Sequence, residues 1–285
     1  MRLRAVAVLA LLLAAGAVAV LHAQKEFQEY PGQNNAPLPP DWQEPHEWVW
    51  GRLRYTDGGG RFGGGGFGGG GFRRGRRGGF GGRRGAWSTD YSKGDRILAG
   101  ALKRLTLIDT RSVEQVIDLD GTDDVYNWPF LYAVEVGQWT LTEEEGKQLR
   151  DFIDRGGFFM VDDFHGTPEW EQFMEGLVKV FPDREVVDIP QDDPINQVFV
   201  ELDQQLQIPG QQYERSHDLS ERGADGSPGH WRAVYDDKDR IVTTIVHNSD
   251  LGDAIEWSDD PYYPEQFSQQ AFRILTNYIL YDLTH

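Results

Sequence analysis

RGGFFMVDDFHG, residues 155–166, decides the fold. Gly156 and Gly157 close a helix, where glycine takes the backbone turn that other residues resist. Phe158 to Asp162 follows as a strand, and its nearly continuous apolar run predicts cover on both faces. Asp163, Phe164, His165 and Gly166 form a polar turn. Thr167 then reads as a helix cap, with Pro168 at the first helical position. Helix, buried strand, polar turn and helix make the repeating unit of a parallel sheet packed on both sides.

The same grammar extends in both directions. WVWGRLRY (48–55) alternates as a first strand with Val49, Leu53 and Tyr55 on one face. Thr89 or Asp90 is placed to cap a helix whose stripe is Ile97, Leu98, Ala101, Leu102 and Leu105. SVEQVIDLD (112–120) and FLYAVEV (130–136) read as strands, and Thr142 to Glu145 as a capping box opening a helix through Leu149, Phe152 and Ile153. Downstream, Trp170, Phe173, Met174, Leu177 and Phe181 form a helical stripe, and EVVDI (185–189) is a short strand. Residues 231–235 and 241–246 flank Asp236 to Asp239 as a hairpin. A last helix carries Phe267, Ala271, Ile274, Leu275, Tyr278 and Ile279. One domain over 48–285 is predicted, with a mainly parallel sheet and a late antiparallel hairpin.

Composition narrows the chemistry. The 285 residues include 46 acidic and 28 basic side chains, a net charge of −18, and no cysteine. Disulfides, thiolate metal sites and cysteine nucleophiles are therefore excluded. The charge argues against specific nucleic-acid binding. Residues 58–85 hold 17 glycines, seven arginines and no acid, so the remainder carries −25. This Gly/Arg tract has no core-forming period and reads as a disordered insertion. Its arginines suit contact with an anionic lipid or an anionic envelope polymer.

Residues 1–23 read as a signal peptide: Arg2 and Arg4 precede a 17-residue uncharged apolar run from Ala5 to Leu21, with small residues after it. An uncleaved membrane anchor is the alternative reading. Either way the body is expected to be exported, to the periplasm or another extracytoplasmic space. Residues 24–47, rich in Pro and Gln, read as an extended leader outside the fold.

Ligands of an open parallel sheet collect beyond the carboxyl ends of its strands. Asp123 and Asp124 follow one strand, Asp162, Asp163 and His165 another, and Asp250, Asp253, Glu256 and Trp257 a third. These residues, with Asp90, are the candidate ligand-binding rim. Asp162, Asp163 and His165 suit a divalent metal, and Asp163 and His165 would be the catalytic pair of an enzyme. Local wiring is the competing reading, with one Asp tying loop amides and the His packed as a satisfied polar group. Trp257, Tyr262 and Tyr263 could form a ledge for stacking sugars. No Gly-x-Ser-x-Gly elbow or phosphate-binding glycine fingerprint occurs.

WSTDY (87–91), DDVYNWPFLYAVEVGQW (123–139), RGGFFMVDDFHG (155–166) and NSDLGDAIEW (248–257) together resemble the bacterial family called domain of unknown function 4159. That family resembles the class I glutamine amidotransferase-like superfamily, which includes the ThuA-like proteins. The resemblance implies a three-layer α/β/α flavodoxin-like domain with an elbow after the 158–162 strand. The elbow cysteine of amidotransferases is absent here, so glutamine hydrolysis is rejected. Two functions stay open: a non-catalytic envelope module binding a partner protein or a glycan at the rim, and a metal-assisted hydrolase or sugar-modifying enzyme with its Asp/His site at 162–165.

Overall fold

The computed structural model describes residues 25–32, 36–58 and 85–285. The expected signal segment at 1–23 and nearly all of the Gly/Arg insertion at 58–85 lie outside the described residues. Among the described residues, no helix is long and apolar enough to cross a membrane.

Strand β1 (Gly51–Arg54) lies between β3 (Gln115–Asp118) and β4 (Phe130–Val134), parallel to both. Beyond β4 come β6 (Phe158–Asp162) and β9 (Ile241–His247), also parallel. Strands β8 (His230–Tyr235) and β7 (Val187–Asp188) complete the edge in antiparallel pairing. The seven-stranded order β3-β1-β4-β6-β9-β8-β7 is that of a flavodoxin-like α/β domain with the expected late hairpin. A small second sheet pairs β2 (Thr56–Asp57) with β5 (Trp139–Thr140).

The period-two pattern of the strands builds two cores. Trp50, Phe130, Tyr132, Phe158 and Met160 face one side, where α1 (Lys93–Leu105), α5 (Leu251–Glu256) and α6 (Glu265–Thr284) supply Leu98, Leu102, Leu251, Ile255, Ile274 and Leu275. Leu53, Leu131, Ala133, Phe159 and Val161 face the other, against α2 (Glu143–Asp154) and α3 (Gly166–Val180), which bring Leu149, Phe152, Phe173 and Leu177. A single-turn helix, α4 (Tyr213–Ser216), sits in the long connection from β7 to β8. The capping box of α2 is present, with Thr142 Oγ1 accepting from Glu145 N at 3.1 Å and Glu145 Oε2 accepting from Thr142 N at 2.7 Å.

Three expectations are corrected. Neither Thr89 nor Asp90 caps α1, which begins after Ser92; Asp90 instead takes a left-handed backbone, φ 60°. The cause lies in β1. Arg52 pairs with Asp95 inside the protein (Nη2 to Oδ1, 2.5 Å) and donates to the Thr89 carbonyl at 3.0 Å, which folds the loop away from a capping geometry. Thr167 does not cap α3 either, because His165 is the residue at that position; the Thr167 amide and hydroxyl both donate to Asp225, each at 2.7 Å. A carboxylate from a distant loop meets the helix start better than a hydroxyl within it.

The third correction concerns the leader. Its described parts form no helix or strand, as their composition dictates, yet they lie against the body. Lys103 holds Asp41 at 2.6 Å, His46 Nδ1 meets Asp109 at 2.6 Å, and Arg96 holds Glu29 at 3.0 Å and also donates to the Ala36 carbonyl. Arg54 covers the Tyr30 ring at 4.7 Å. Ion pairs and ring contacts do here what apolar burial would do elsewhere.

Candidate metal centre at the strand ends

Asp162 and Asp163 leave the same strand but do different work. Asp162 is fully buried, and its Oδ2 accepts from Tyr132 Oη at 3.0 Å, Leu251 N at 2.8 Å and Gly252 N at 3.1 Å. It therefore docks the start of α5 onto β6, the wiring role foreseen for one of the two acids. Burial raises its carboxyl to about 7 even though these donors oppose the rise.

Asp163, also buried, takes a left-handed backbone with φ 55°. Its carbonyl accepts from Glu135 N at 3.0 Å, and its amide donates to the Ser249 carbonyl at 3.2 Å, so the ends of β4 and β9 hold it from both sides. Asp163 Oδ1 lies 3.2 Å from His165 Nε2, and Glu221 Oε2 lies 3.8 Å from the same nitrogen. One ligand atom from each of Asp163, His165 and Glu221 falls within 4.8 Å of the others. His165 is 3% exposed, and burial, with help from His247 and Arg222, pushes its imidazole down to about 3. The ring is thus neutral near pH 7 and keeps a lone pair for a metal.

Glu221 has no place in any sequence pattern. It belongs to the irregular connection between β7 and β8, among Gly, Ser and Asp residues that carry no periodicity. Its neighbour Arg222 pairs with Glu169 on α3, and Glu169 Oε2 accepts from His165 N at 2.6 Å. That chain of contacts is what delivers Glu221 to His165. Burial and the charge of Asp253 raise the Glu221 carboxyl to about 8.

A second group, Asp90, Asp250 and Asp253, also brings ligand atoms within 4.8 Å. Asp250 caps α5 through Oδ1, accepting from Asp253 N at 2.7 Å, and Asp253 Oδ2 accepts from Gln211 N at 2.6 Å. Burial is the main cause lifting the Asp90, Asp163 and Asp250 carboxyls well above their ordinary range, and the charges of neighbouring acids add to it. Glu135, next to Asp163, is raised to about 7 by burial and by Glu169. Among the described residues no Lys or Arg forms an ion pair with Asp90, Asp163, Glu221, Asp250 or Asp253; Arg52 and Arg222 are taken by Asp95 and Glu169.

Other rim candidates go elsewhere. Asp123 is exposed, and Asp124 pairs with Lys25 of the leader at 3.1 Å, beside the β3 edge. Glu256 is buried on α5, and Gly94 of α1 packs between its Cβ and that of Asp90. Trp257 Nε1 donates to Asp253 Oδ1 at 3.1 Å, under the Lys93 ammonium. The aromatic ledge does not form: Tyr263 is 3% exposed, with its hydroxyl on the Pro209 carbonyl, while Tyr262 is 79% exposed. A further acid group, Asp41, Glu44 and His46, is already served by Lys103 and Asp109. Two residues past His165, Thr167 begins the wall of a cavity of about 290 Å³, which Trp170, His230, Arg232, His247 and Asn248 also line.

The family model described as "Domain of unknown function (DUF4159)" matches residues 77–283. The chain belongs to the DUF4159 family. The matched range contains every residue of both acid groups, so the centre belongs to the DUF4159 region itself and not to the leader. No curated protein matches the chain.

Proposed function

We propose that this DUF4159 domain is a metal-assisted hydrolase of the cell envelope, with a divalent cation held by Asp163, His165 and Glu221. One observation carries the reading: these three side chains converge within 4.8 Å with no Lys or Arg paired to them among the described residues. A buried carboxylate that lacks a cationic partner, as Asp163 does, is expensive unless it binds a proton or a metal ion. Two carboxylates and a neutral imidazole form a mixed oxygen and nitrogen set suited to Mn²⁺ or Zn²⁺.

A cation there would lower the pKa of a bound water and so supply a hydroxide near neutral pH. Glu135 is tied to Asp163 through its backbone, while its carboxylate accepts from Gln138 Nε2 at 2.7 Å, so the base for that water is left to the ligand carboxylates themselves. Glu221 is the partly open member, with 28% of its side chain accessible, so water and cation arrive from its side. The cavity bounded by Trp170, His230, Arg232 and His247, past the start of α3, is the place assigned to a substrate in this reading. Export through residues 1–23 is part of the proposal, as is contact of the Gly/Arg tract with an anionic lipid or polymer. The ThuA-like resemblance supports the site's position at the elbow after β6, and the missing cysteine fits a metal in its place.

The test is metal analysis of the purified chain and thermal melts with Ca²⁺, Mg²⁺, Mn²⁺ and Zn²⁺, followed by assays on chromogenic esters, phosphodiesters and glycosides. A cation-specific stabilisation weakened in His165→Ala and Asp163→Asn is expected, together with turnover of one substrate class. If both variants melt like the parent with every cation, the proposal falls. Binding without turnover on any class would favour the non-catalytic module that the sequence also allowed.

A further inference from the structure

We infer that the centre takes two divalent cations, the second held by Asp90, Asp250 and Asp253, with Glu221 bridging the pair. This rests on the cation site proposed at Asp163, His165 and Glu221 and adds to it a neighbour of different chemistry.

The geometry converges on Gly210. A β-carbon at that position would lie 2.3 Å from Glu221 Oε1, 2.6 Å from Asp250 Oδ2 and 2.8 Å from Asp253 Oδ2. Three carboxylate oxygens from two separate segments therefore crowd the space that the glycine leaves free. The Gly210 segment is fixed there by Ile208, whose carbonyl accepts from Asp250 N at 2.9 Å and whose amide donates to Ser249 Oγ at 3.1 Å. Glu221 turns its other oxygen, Oε2, toward His165. One carboxylate thus presents one oxygen to each ligand group, which is how a carboxylate spans two metal ions.

Asp90 supplies the independent observation. It is 1% exposed, and its Oδ2 has no hydrogen-bond donor. That atom points at α5, at the helix start that carries Asp250 and Asp253, and lies 2.1 Å from where a Gly252 β-carbon would be. A buried carboxylate oxygen without a donor, facing two more carboxylates, is satisfied by a cation or by a proton shared with Asp253. Oxygen-only ligands make the second position a hard-cation site, suited to Mg²⁺, Ca²⁺ or Mn²⁺. Mn²⁺ suits both positions and is the probe of choice.

The experiment is equilibrium dialysis and electron paramagnetic resonance of the chelator-stripped full chain titrated with Mn²⁺ alone. The parent is expected to take up two Mn²⁺ and to show a spin-coupled spectrum. Asp90→Asn and Asp253→Asn should each leave one uncoupled Mn²⁺, and so should His165→Ala, with circular dichroism confirming that each variant is folded. Glu221→Gln should abolish the coupling. A parent that binds one Mn²⁺, lost in His165→Ala and kept in Asp90→Asn, would overturn the second site and leave the first. Uptake of two ions unaffected by Asp90→Asn and Asp253→Asn would overturn it as well. No uptake at all would end both, and would leave the shared proton between Asp90 and Asp253.

Discussion

Asp90 Oδ2 stands 2.1 Å from the point that a β-carbon on Gly252 would occupy, with Tyr132 Oη 3.2 Å from the same point. The loop leading into α1 and the start of α5 therefore meet through a carboxylate seated on a bare backbone. Gly252→Ala forces the Asp90 side chain to move within a packed interior. Overpacking of this kind costs about 1–3 kcal/mol. The loss should appear as a lower Tm, and it should shrink when Asp90→Ala has already cleared the space. Equal losses in the two backgrounds, measured by a double-mutant cycle, would contradict the contact.

The raised carboxyls set a pH dependence for the cation-free protein. Glu221 is raised to about 8, Glu135 and Asp162 to about 7, and Asp90, Asp163 and Asp250 also upward, whereas unfolded carboxyls ionise near pH ~4. Between those values the folded chain binds more protons than the unfolded one, so stability falls as pH rises. His165 at about 3 and His247 at about 4 act in the opposite sense, adding stability as pH climbs to the ordinary histidine value of ~6.5. The carboxyl effect is therefore isolated above that point. In chelator, the Tm should drop between about pH 6.5 and 8.5, and saturating Mn²⁺ should flatten the decline. A Tm that rises across this window would refute the assignment.

Arg52 is 1% exposed and is held by Asp95 through two of its nitrogens, with Trp50 Nε1 donating to the same carboxylate at 2.8 Å. Arg52→Met leaves Asp95 buried without its cation. A loss of about 3–5 kcal/mol in urea unfolding is expected. Arg52→Met with Asp95→Leu should recover part of it, because neither charge is then left buried alone. The double variant still lacks the bond to the Thr89 carbonyl, so its affinity for Mn²⁺ should stay reduced.

The leader is the fourth point of test. Gly32 packs on the Tyr91 carbonyl, and Arg96 takes Glu29 and Ala36 from the leader as well as Glu114 from the body. A chain starting at Trp48 should melt several degrees lower, and amide exchange should quicken over residues 89–96. Unchanged melting and exchange would show that these contacts contribute nothing.

The sheet was legible in the sequence because its strands are short apolar runs bounded by turns and covered on both faces, as in Phe158 to Asp162. Helices with real caps, such as the one opened by Thr142, were equally plain. Asp90, Asp163, Asp250 and Asp253 could be nominated because they follow strands or open a helix. Glu221 could not, since it reaches the centre through Arg222 and Glu169, contacts with no signature in local spacing. Glu135 was hidden by its place in the apolar segment FLYAVEV. The leader misled for a related reason: low hydropathy predicts an absent core, and it says nothing about salt links to a neighbouring surface.

Gly32 lies against Tyr91, and Tyr91 is covalently joined to Asp90. Tension on the strip of chain running from residue 25 thus reaches, through Gly32, the loop that sets one edge of the acidic mouth. The described leader is mechanically tied to the candidate reaction chamber.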